Sequence, residues 1–357
     1  MSRPDPSGTP FAADAGAAGL VLAEATPAPV TPRGVPAGVA TGIGSLPGTA
    51  ITEAVATVFG ELPDFPHLPE LPARGPGADM IGRTAGLLVE IPVELYAGRW
   101  RTAAHAGRDA RRTADLWERD LDALTDHATA FAGPLKVQAA GGWTLAASLE
   151  LPIGGRMLRD PGAVRDLTAS LAEGIAAHVA EVRARVPGAE VFLQLDEPSL
   201  PAVLAGAVPT ESGYGRLRAV AAEQVRDGLA RLVDAAGVPV IVHCCAPDAP
   251  LRLFRDAGAG AVAIDLDLVT DLDELGEILD GGTVLIAGAV PTSGRTPSST
   301  EVAARVRTLW KRIGFSINDL PERVSIAPCC GLAGASPSAA RTAMTTAREA
   351  ARRLTDA

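Results

Sequence analysis

Histidine and cysteine are spaced in this sequence in a way that suits a metal ion. The four cysteines form two adjacent pairs, and His243 directly precedes the first pair, Cys244-Cys245. Alternate residues of an extended segment share one face, so His243 and Cys245 can converge while Cys244 points away. An imidazole and two thiolates suit Zn2+, and the second pair would supply the other thiolate from Cys330 or Cys329.

The order of the segments suggests a further ligand. Asp265 ends a predicted strand that lies between the two cysteine pairs in the sequence, and its carboxylate can supply an oxygen. Three or four protein ligands and one exchangeable position describe a catalytic zinc site. Buried cysteines are also ordinary small apolar residues. The placement of all four at strand ends, beside a histidine, favours the metal.

Other polar residues also follow predicted strands. Asp196 and Glu197 could act as an acid and a base, but adjacent residues of a strand face opposite ways, so we expect one of them to be structural. Ser45 is expected to cap a helix that begins after Pro47. Trp143 is a candidate for contact with the substrate, although a tryptophan here is more often part of the core.

The elements that position these residues alternate as strand and helix. Short apolar segments predict eight parallel strands covered on both faces. Their order predicts an α/β fold, a single-domain (β/α)8 TIM barrel, with a doubly wound sheet as the alternative. The predicted strands are residues 38–43, 65–68, 135–140, 191–195, 238–243, 261–265, 284–288 and 324–327. The predicted helices include 161–186, begun by Asp160 as N-cap, 214–236, 249–257, 271–279, 300–312 and 336–354.

The two remaining regions differ in composition. Residues 1–36 carry seven prolines among small residues, which predicts a disordered tail ahead of a zinc-binding barrel at 37–357. Residues 73–132 are predicted to be a mostly helical excursion on the barrel.

Composition excludes several classes of function. The net charge of −10 comes from interspersed acidic and basic residues, and aromatic residues make up only 4%, so we expect no nucleic-acid partner. No apolar run approaches the roughly 20 residues of a membrane span, and the N-terminus does not resemble a signal peptide. Four cysteines in adjacent pairs are unsuited to a disulfide framework, which predicts a reducing, cytoplasmic location.

Four segments together resemble the cobalamin-independent methionine synthase family. They are I-G-S-L-P-G-T at 43–49, L-D-E-P at 195–198, V-H-C-C at 242–245 and P-C-C-G-L at 328–332. The resemblance is to the catalytic C-terminal barrel of that family, which is related in fold to uroporphyrinogen decarboxylase. It covers most of residues 37–357 in the family's order, and the H-x-C and C-G-L elements are fairly specific jointly.

The resemblance implies a zinc ion held by His243, Cys245 and Cys330. The family's fourth ligand is a glutamate, and its position falls on Asp265, whose side chain is one methylene shorter. Cys244 or Cys329 are the alternatives for this fourth place.

The resemblance also implies the substrate. Homocysteine would lie with its carboxylate against Ile43 and Ser45, and Asp196 would hold its amino group, with Glu70 as a further candidate. The implied reaction moves a methyl group to the homocysteine thiol, forming methionine. Departure of a methyl group from a tertiary nitrogen also needs an acid, for which Asp196, Glu197 and Glu70 are candidates.

The methyl donor stays open. Full-length members of the family carry a second, N-terminal barrel that this sequence does not show, so methyltetrahydrofolate and a methylcorrinoid protein are both candidates. The alternatives to a homocysteine methyltransferase are a thiol methyltransferase with another acceptor and a non-catalytic zinc-binding paralogue. A decarboxylase is disfavoured because its chemistry has no use for a Cys/His metal site.

Overall fold

A six-stranded parallel sheet forms the centre of the protein in the computed structural model, which describes residues 34–356. Its strands, in spatial order, are β10 (Val324–Pro328), β9 (Val284–Val290), β8 (Ala261–Asp265), β7 (Val240–Cys244), β6 (Ala189–Asp196) and β3 (Gly133–Ala140). The sheet order follows the chain order without a reversal, which contradicts the doubly wound alternative. Most residues of these strands are apolar and buried, because the sheet is covered on both sides.

Two extended segments bridge the gap between the sheet's edge strands. Single parallel bridges pair Ala40 with Ile326 of β10, and His67 with Lys136 of β3. A third bridge, from Ser45 to Glu70, joins the two segments to each other. The predicted strands 38–43 and 65–68 are therefore present only as isolated bridges. Prolines at 63, 66, 69 and 72 interrupt the second segment, and each lacks the N–H that a continuous ladder requires. The curled sheet is consistent with a TIM-like barrel.

Helices follow the strands and pack on the outside of the sheet, as the helix Pro161–Arg185 does on β6. They are α1 (Ile51–Glu61), α2 (Met80–Ala85), α3 (Arg108–Ala128), α4 (Gly142–Ser148), α5 (Pro161–Arg185), α6 (Leu200–Leu204), α7 (Ala222–Ala236), α8 (Leu251–Asp256), α9 (Leu272–Asp280), α10 (Ser299–Ile313), α11 (Leu320–Arg323) and α12 (Pro337–Thr355). None of the helices within residues 34–356 has the length and apolar character that a membrane span requires.

The helix boundaries test the sequence signals. The Asp160 side chain accepts hydrogen bonds from the backbone N–H groups of Gly162 and Ala163, which confirms it as the N-cap of α5. The predicted helix 214–236 begins only at Ala222, because the glycine-containing stretch before it forms a loop in which Tyr214 is 99% exposed.

The excursion at 73–132 is only partly helical. It contains α2 and α3, but β1 (Val93–Tyr96) and β2 (Arg99–Thr102) form an antiparallel hairpin between them. Ala97 and Gly98 both have positive φ, at 48° and 80°, as the turn of a two-residue hairpin requires. The strands β4 (Glu150–Leu151) and β5 (Gly155–Arg156) extend this hairpin into a second, four-stranded sheet.

The start of the described chain packs into the protein. Of the predicted tail, residues 1–33 lie outside the described residues. Val35 is completely buried in a cluster with Phe65, Phe192 and Ile286, and the Ser325 hydroxyl donates a 3.0 Å hydrogen bond to the carbonyl oxygen of Pro36. Residues 34–36, which the sequence assigned to a disordered tail, are therefore packed against the barrel.

A buried ionic cluster joins α2 and α3 within the excursion and contacts the barrel at Glu70. The Asp120 carboxylate, on α3, accepts hydrogen bonds from Arg74, at 2.6 and 2.9 Å, and from Arg83 of α2. The Arg83 guanidinium also lies over the ring of Trp117, 3.5 Å from its centroid, and its Nε is 3.8 Å from a carboxylate oxygen of Glu70. Asp120 thus balances two arginines, of which Arg83 lies beside the candidate substrate residue Glu70.

Replacement of Asp120 by alanine should destabilise the protein by about 3 to 5 kcal/mol, because two buried guanidinium groups lose their counter-ion. Urea unfolding measures this. Glu118→Ala on the same helix is the control, since the exposed Glu118–Arg185 pair should contribute less than about 1 kcal/mol. Equal destabilisation by the two substitutions would contradict the importance assigned to the buried cluster.

Candidate metal centre

Three predicted ligands meet at the carboxyl edge of the sheet. His243 lies near the end of β7, Cys245 follows that strand directly, and Cys330 follows β10 by two residues. One ligand atom from each lies within 4.8 Å of the others, and the two Sγ atoms are 3.4 Å apart. Ligand atoms of a tetrahedral zinc site with nitrogen and sulfur donors lie about 3.3 to 3.8 Å apart, so this spacing is close to that of a zinc site.

The His243 imidazole is oriented for coordination. Its Nδ1 lies 2.9 Å from the carbonyl oxygen of Ala263 on β8, which can only accept, so Nδ1 carries the proton. Its Nε2 is buried and has no hydrogen-bond partner among residues 34–356. A metal-bound histidine commonly donates its other ring N–H to such a carbonyl. Nε2 is therefore the nitrogen available to a metal ion.

The four cysteines differ in their environments. A hydrogen bond with the Cys245 thiol lowers the pKa of Cys330, which favours the thiolate. Cys244 is buried on the other side of β7, and burial raises its pKa to about 12. Burial, aided by the nearby Asp265 carboxylate, also raises the pKa of Cys329. Neither Cys244 nor Cys329 belongs to the three-residue group.

The Asp265 carboxylate caps the turn that follows its strand. Its Oδ1 accepts a 2.9 Å hydrogen bond from the backbone N–H of Asp267 and so begins the short 3-10 helix Leu266–Leu268. Within residues 34–356, the group with metal-ligating geometry consists of the histidine and two cysteines without this carboxylate. The structure therefore brings together three of the four ligands expected from the sequence.

Two buried carboxylates lie near the centre. Asp196 pairs with His243 in the register of β6 and β7, and burial raises its pKa, against the opposing effects of His243 and Lys136. Burial also raises the pKa of Glu70 to about 7, although the charge of Arg83 acts in the opposite direction.

Glu197 points away from Asp196 and holds a helix. One carboxylate oxygen accepts a 3.0 Å hydrogen bond from the backbone N–H of Trp143, and the other accepts two of 2.8 Å from the N–H and hydroxyl of Thr144. These donors lie in the first turn of α4, where orphan N–H groups attract a carboxylate. A Cβ on Gly141 would lie 2.2 Å from Glu197 Oε1, so glycine is required there. These contacts are those of a carboxylate that stabilises the start of α4.

Trp143 packs into the helix layer. Its indole N–H donates a 3.0 Å hydrogen bond to the carbonyl oxygen of Val225 on α7, and its ring lies against Gly228. Only 6% of the residue is exposed. These contacts are those of a core residue.

The segment around Ser45 is tied to the cysteine segment. The Ser45 carbonyl accepts a 2.8 Å hydrogen bond from the N–H of Leu332. A Cβ on residue 331 would lie only 2.1 Å from the Ser45 hydroxyl oxygen, so the hydroxyl occupies the space that the glycine leaves. The expectation that Ser45 caps a helix is wrong, because α1 begins at Ile51 and has Ala50 as its N-cap. The loop therefore lies beside Cys330.

Sequence reasoning missed the polar residues of the sheet interior. Lys136 donates a 3.0 Å hydrogen bond to the carbonyl oxygen of Ile43, and Gln194 donates one of 2.7 Å to Asp196 Oδ1. A signal was present, since Lys136 and Gln138 alternate with apolar residues in a strand otherwise predicted to be buried on both faces. Arg83 gave no comparable signal.

Comparisons with solved structures agree with the fold. The structure is similar to that of a B12-independent methionine synthase from Shewanella sp. W3-18-1 in complex with selenomethionine, with a TM-score of 0.58, 12% identity, and coverage of 90% of this chain and 98% of that chain. It is also similar to a methyltransferase from Methanosarcina mazei, with a TM-score of 0.55, 13% identity, and coverage of 91% and 96%. At these identities the likeness concerns the fold.

The sequence itself identifies the family. No curated protein sequence matches the chain. Residues 39–353, however, match the family described as cobalamin-independent synthase, catalytic domain. That match spans most of the chain and includes every residue of the candidate centre. The protein therefore belongs to the cobalamin-independent methionine synthase family, through the catalytic domain of that family.

Proposed function

We propose that this protein is a zinc-dependent methyltransferase that moves a methyl group to the thiol of L-homocysteine and forms methionine. Membership of the family supports a methyltransferase of methionine synthesis. The observation that carries the finer proposal is the group formed by His243, Cys245 and Cys330, in which the Nε2 of His243 is buried without a partner among the described residues. Such an atom is costly to bury unless a ligand satisfies it.

The residues present fit zinc. His243 Nε2 and the two sulfurs would hold it, and the exchangeable position that a catalytic zinc keeps would be open to a substrate thiol. Zinc bound there would lower the pKa of the homocysteine thiol, which is near 8.5 for a free thiol, and so make the thiolate available at neutral pH. The reducing cytoplasm in which we place the protein keeps both cysteines free to bind it.

The protein's own residues would orient homocysteine. We assign the Ile43–Ser45 loop to the substrate carboxylate and Asp196 to its amino group, with Glu70 beside Asp196. The loop is fixed by the Leu332–Ser45 hydrogen bond, and Asp196 by Gln194. We assign Glu197 and Trp143 to the support of this site through α4, and Asp265 to a place beside the metal rather than on it. We also propose that the bridging segments close the sheet into the eight-stranded barrel.

The donor determines whether a proton is needed. Transfer from the tertiary nitrogen of a methyltetrahydrofolate leaves an amine that must be protonated, whereas transfer from a methylcorrinoid protein does not. A carboxylic acid with a pKa near neutrality suits such a transfer. Glu70, with its pKa of about 7, is the acid we propose for a folate donor, since both oxygens of Glu197 are already hydrogen-bonded to α4.

A non-catalytic zinc-binding paralogue is the second candidate. The observation that favours it is the orientation of Asp265, which leaves three ligands where the resemblance implies four. A thiol methyltransferase with another acceptor keeps the same centre and differs only in the residues around the thiol's other end.

Zinc X-ray absorption tests the centre. We expect the purified protein to hold a single zinc ion in a shell of sulfur with nitrogen or oxygen, and this shell should gain a sulfur when L-homocysteine is added. Cys330→Ser should weaken zinc binding by more than the roughly 10- to 100-fold typical of outer-shell partners. Cys244→Ser is the matched control and should change neither result, because that thiol faces away. Bound zinc whose shell ignores homocysteine would favour the paralogue, and absence of zinc would contradict the proposal.

The pH profile tests Glu70. An acid with a raised pKa of about 7 is protonated below that pH and loses its proton above it, so methionine formation from methyltetrahydrofolate should fall as the pH rises through 7. Glu70→Gln should lower kcat at pH 6.5 by about 100-fold or more and abolish this dependence. Glu53→Gln, on the exposed face of α1, is the control. A descending limb that persists in Glu70→Gln would assign the acid to another residue.

A further inference from the structure

A lysine is buried inside the curled sheet. Lys136 lies on β3 with its side chain completely buried, and two further polar residues, Gln138 and Gln194, share this interior. Lysine is almost never fully buried unless its ammonium group is paired. The interior position therefore requires an explanation in terms of what the amine contacts.

The ammonium group of Lys136 contacts the segment that contains Ile43 and the strand β6. Its Nζ donates a 3.0 Å hydrogen bond to the carbonyl oxygen of Ile43 and one of 2.6 Å to Gln194 Oε1. Within the described residues no carboxylate accepts a hydrogen bond from it, and Asp196 and Glu70 balance its charge from a greater distance. The lysine therefore acts mainly through a carbonyl and an amide, both of which belong to or adjoin the proposed substrate site.

Gln194 links Lys136 to Asp196. Its Nε2 donates hydrogen bonds of 2.8 Å to the Ile43 carbonyl and 2.7 Å to Asp196 Oδ1. An amide group can turn by half a revolution and exchange its oxygen and nitrogen. The two acceptors at Ile43 and Asp196 already require the N–H groups on their side, and the ammonium group of Lys136 anchors the amide oxygen on the other side. Both polar atoms of the amide are thereby fixed in position.

We propose that Lys136 is a positioning residue for the amino-acid end of the substrate. It holds the Ile43 carbonyl directly and, through the fixed amide of Gln194, the carboxylate of Asp196, so that the loop and the carboxylate keep a constant separation. This inference rests on the proposed function, in which Asp196 receives the substrate amino group. It adds that recognition of the substrate amine depends on a chain of hydrogen bonds from Lys136 through Gln194 to Asp196, which we call the relay.

The chemistry of the relay explains why an apolar residue would not serve. Lys136→Met fills a similar volume but leaves Gln194 Oε1 and one lone pair of Ile43 without a donor. The amide then loses the donor that anchors its oxygen, and it can shift as a whole so that its N–H no longer holds Asp196 in place. The loss should therefore appear in recognition of the substrate's ammonium group rather than in the binding of its thiol to the metal centre.

Two thiols separate these effects in a calorimetric titration of the zinc-loaded protein. L-Homocysteine has the α-amino group, and 4-mercaptobutanoic acid has the same thiol and carboxylate without it. Lys136→Met should weaken the binding of homocysteine by about 10- to 100-fold, the range of one or two hydrogen bonds to charged groups. It should weaken that of 4-mercaptobutanoic acid by less than about 3-fold, because the loop that receives the carboxylate keeps its hydrogen bonds from Gln194 and Leu332. Zinc content should be unchanged.

Two further variants guard against a general loss of structure. Ser325→Ala removes a buried hydrogen bond to Pro36 at the amino end of β10, away from the carboxyl edge that holds the site. It should leave both titrations as in the wild type. Gln194→Glu keeps an acceptor for Lys136 but replaces the donor to Asp196 by a carboxylate, and it should show the same selective loss as Lys136→Met. This variant decides the outcome if Lys136→Met does not fold.

The results distinguish the two proposals. If the wild type binds neither thiol, the proposed function fails and the relay fails with it. If the wild type binds homocysteine but Lys136→Met weakens both thiols equally, or neither, then the lysine only supports the fold and the relay is wrong while the function stands. Selective loss of homocysteine supports the relay.

Discussion

Polar side chains at the carboxyl edge of this sheet are cut off from water, and each must find a partner within the protein. His243 directs one nitrogen to the carbonyl oxygen of Ala263, Glu197 is satisfied by α4, and Asp196 receives an amide hydrogen from Gln194. Nε2 of His243 is buried without a hydrogen-bond partner among the described residues, and it lies beside the Cys245 and Cys330 thiols, which contact each other. Coordination of a metal ion would satisfy all three atoms together.

The charges beneath the centre are arranged so that none stands alone. Lys136 lies within electrostatic reach of both Asp196 and Glu70, and Glu70 lies beside Arg83. Arg83 is in turn balanced by Asp120, in the helical excursion. The excursion is thus more than an ornament on the barrel, because it supplies the cation that orients a carboxylate in the sheet interior. In a low dielectric, removal of any one of these groups affects the next.

The site also depends on two glycines whose backbone lies close to neighbouring side chains. Glycine at 141 leaves room for the Glu197 carboxylate, and glycine at 331 leaves room for the Ser45 hydroxyl, in each case where a Cβ would overlap the neighbouring oxygen. Both glycines stand beside residues that the sequence marked as functional. Their presence in the motifs follows from packing between segments distant in the chain, which no local rule could reveal.

The sequence by itself determined the six strands of the central sheet, the N-cap of α5 and the meeting of His243 and Cys245 with a cysteine of the second pair, because these follow from local periodicity and from the common edge of parallel strands. The choice of Cys330 over Cys329 came from the family resemblance. It did not determine where individual side chains turn after a strand ends. Asp265 reached a backbone N–H of its own loop, and Ser45 contacted Gly331 instead of capping a helix. The cluster around Asp120 and the burial of Lys136 were likewise decided by tertiary structure, since each depends on partners far away in the chain that satisfy the buried charges. The hairpin at 93–102 pairs residues close in sequence, and helical periodicity in the surrounding stretch did not reveal it.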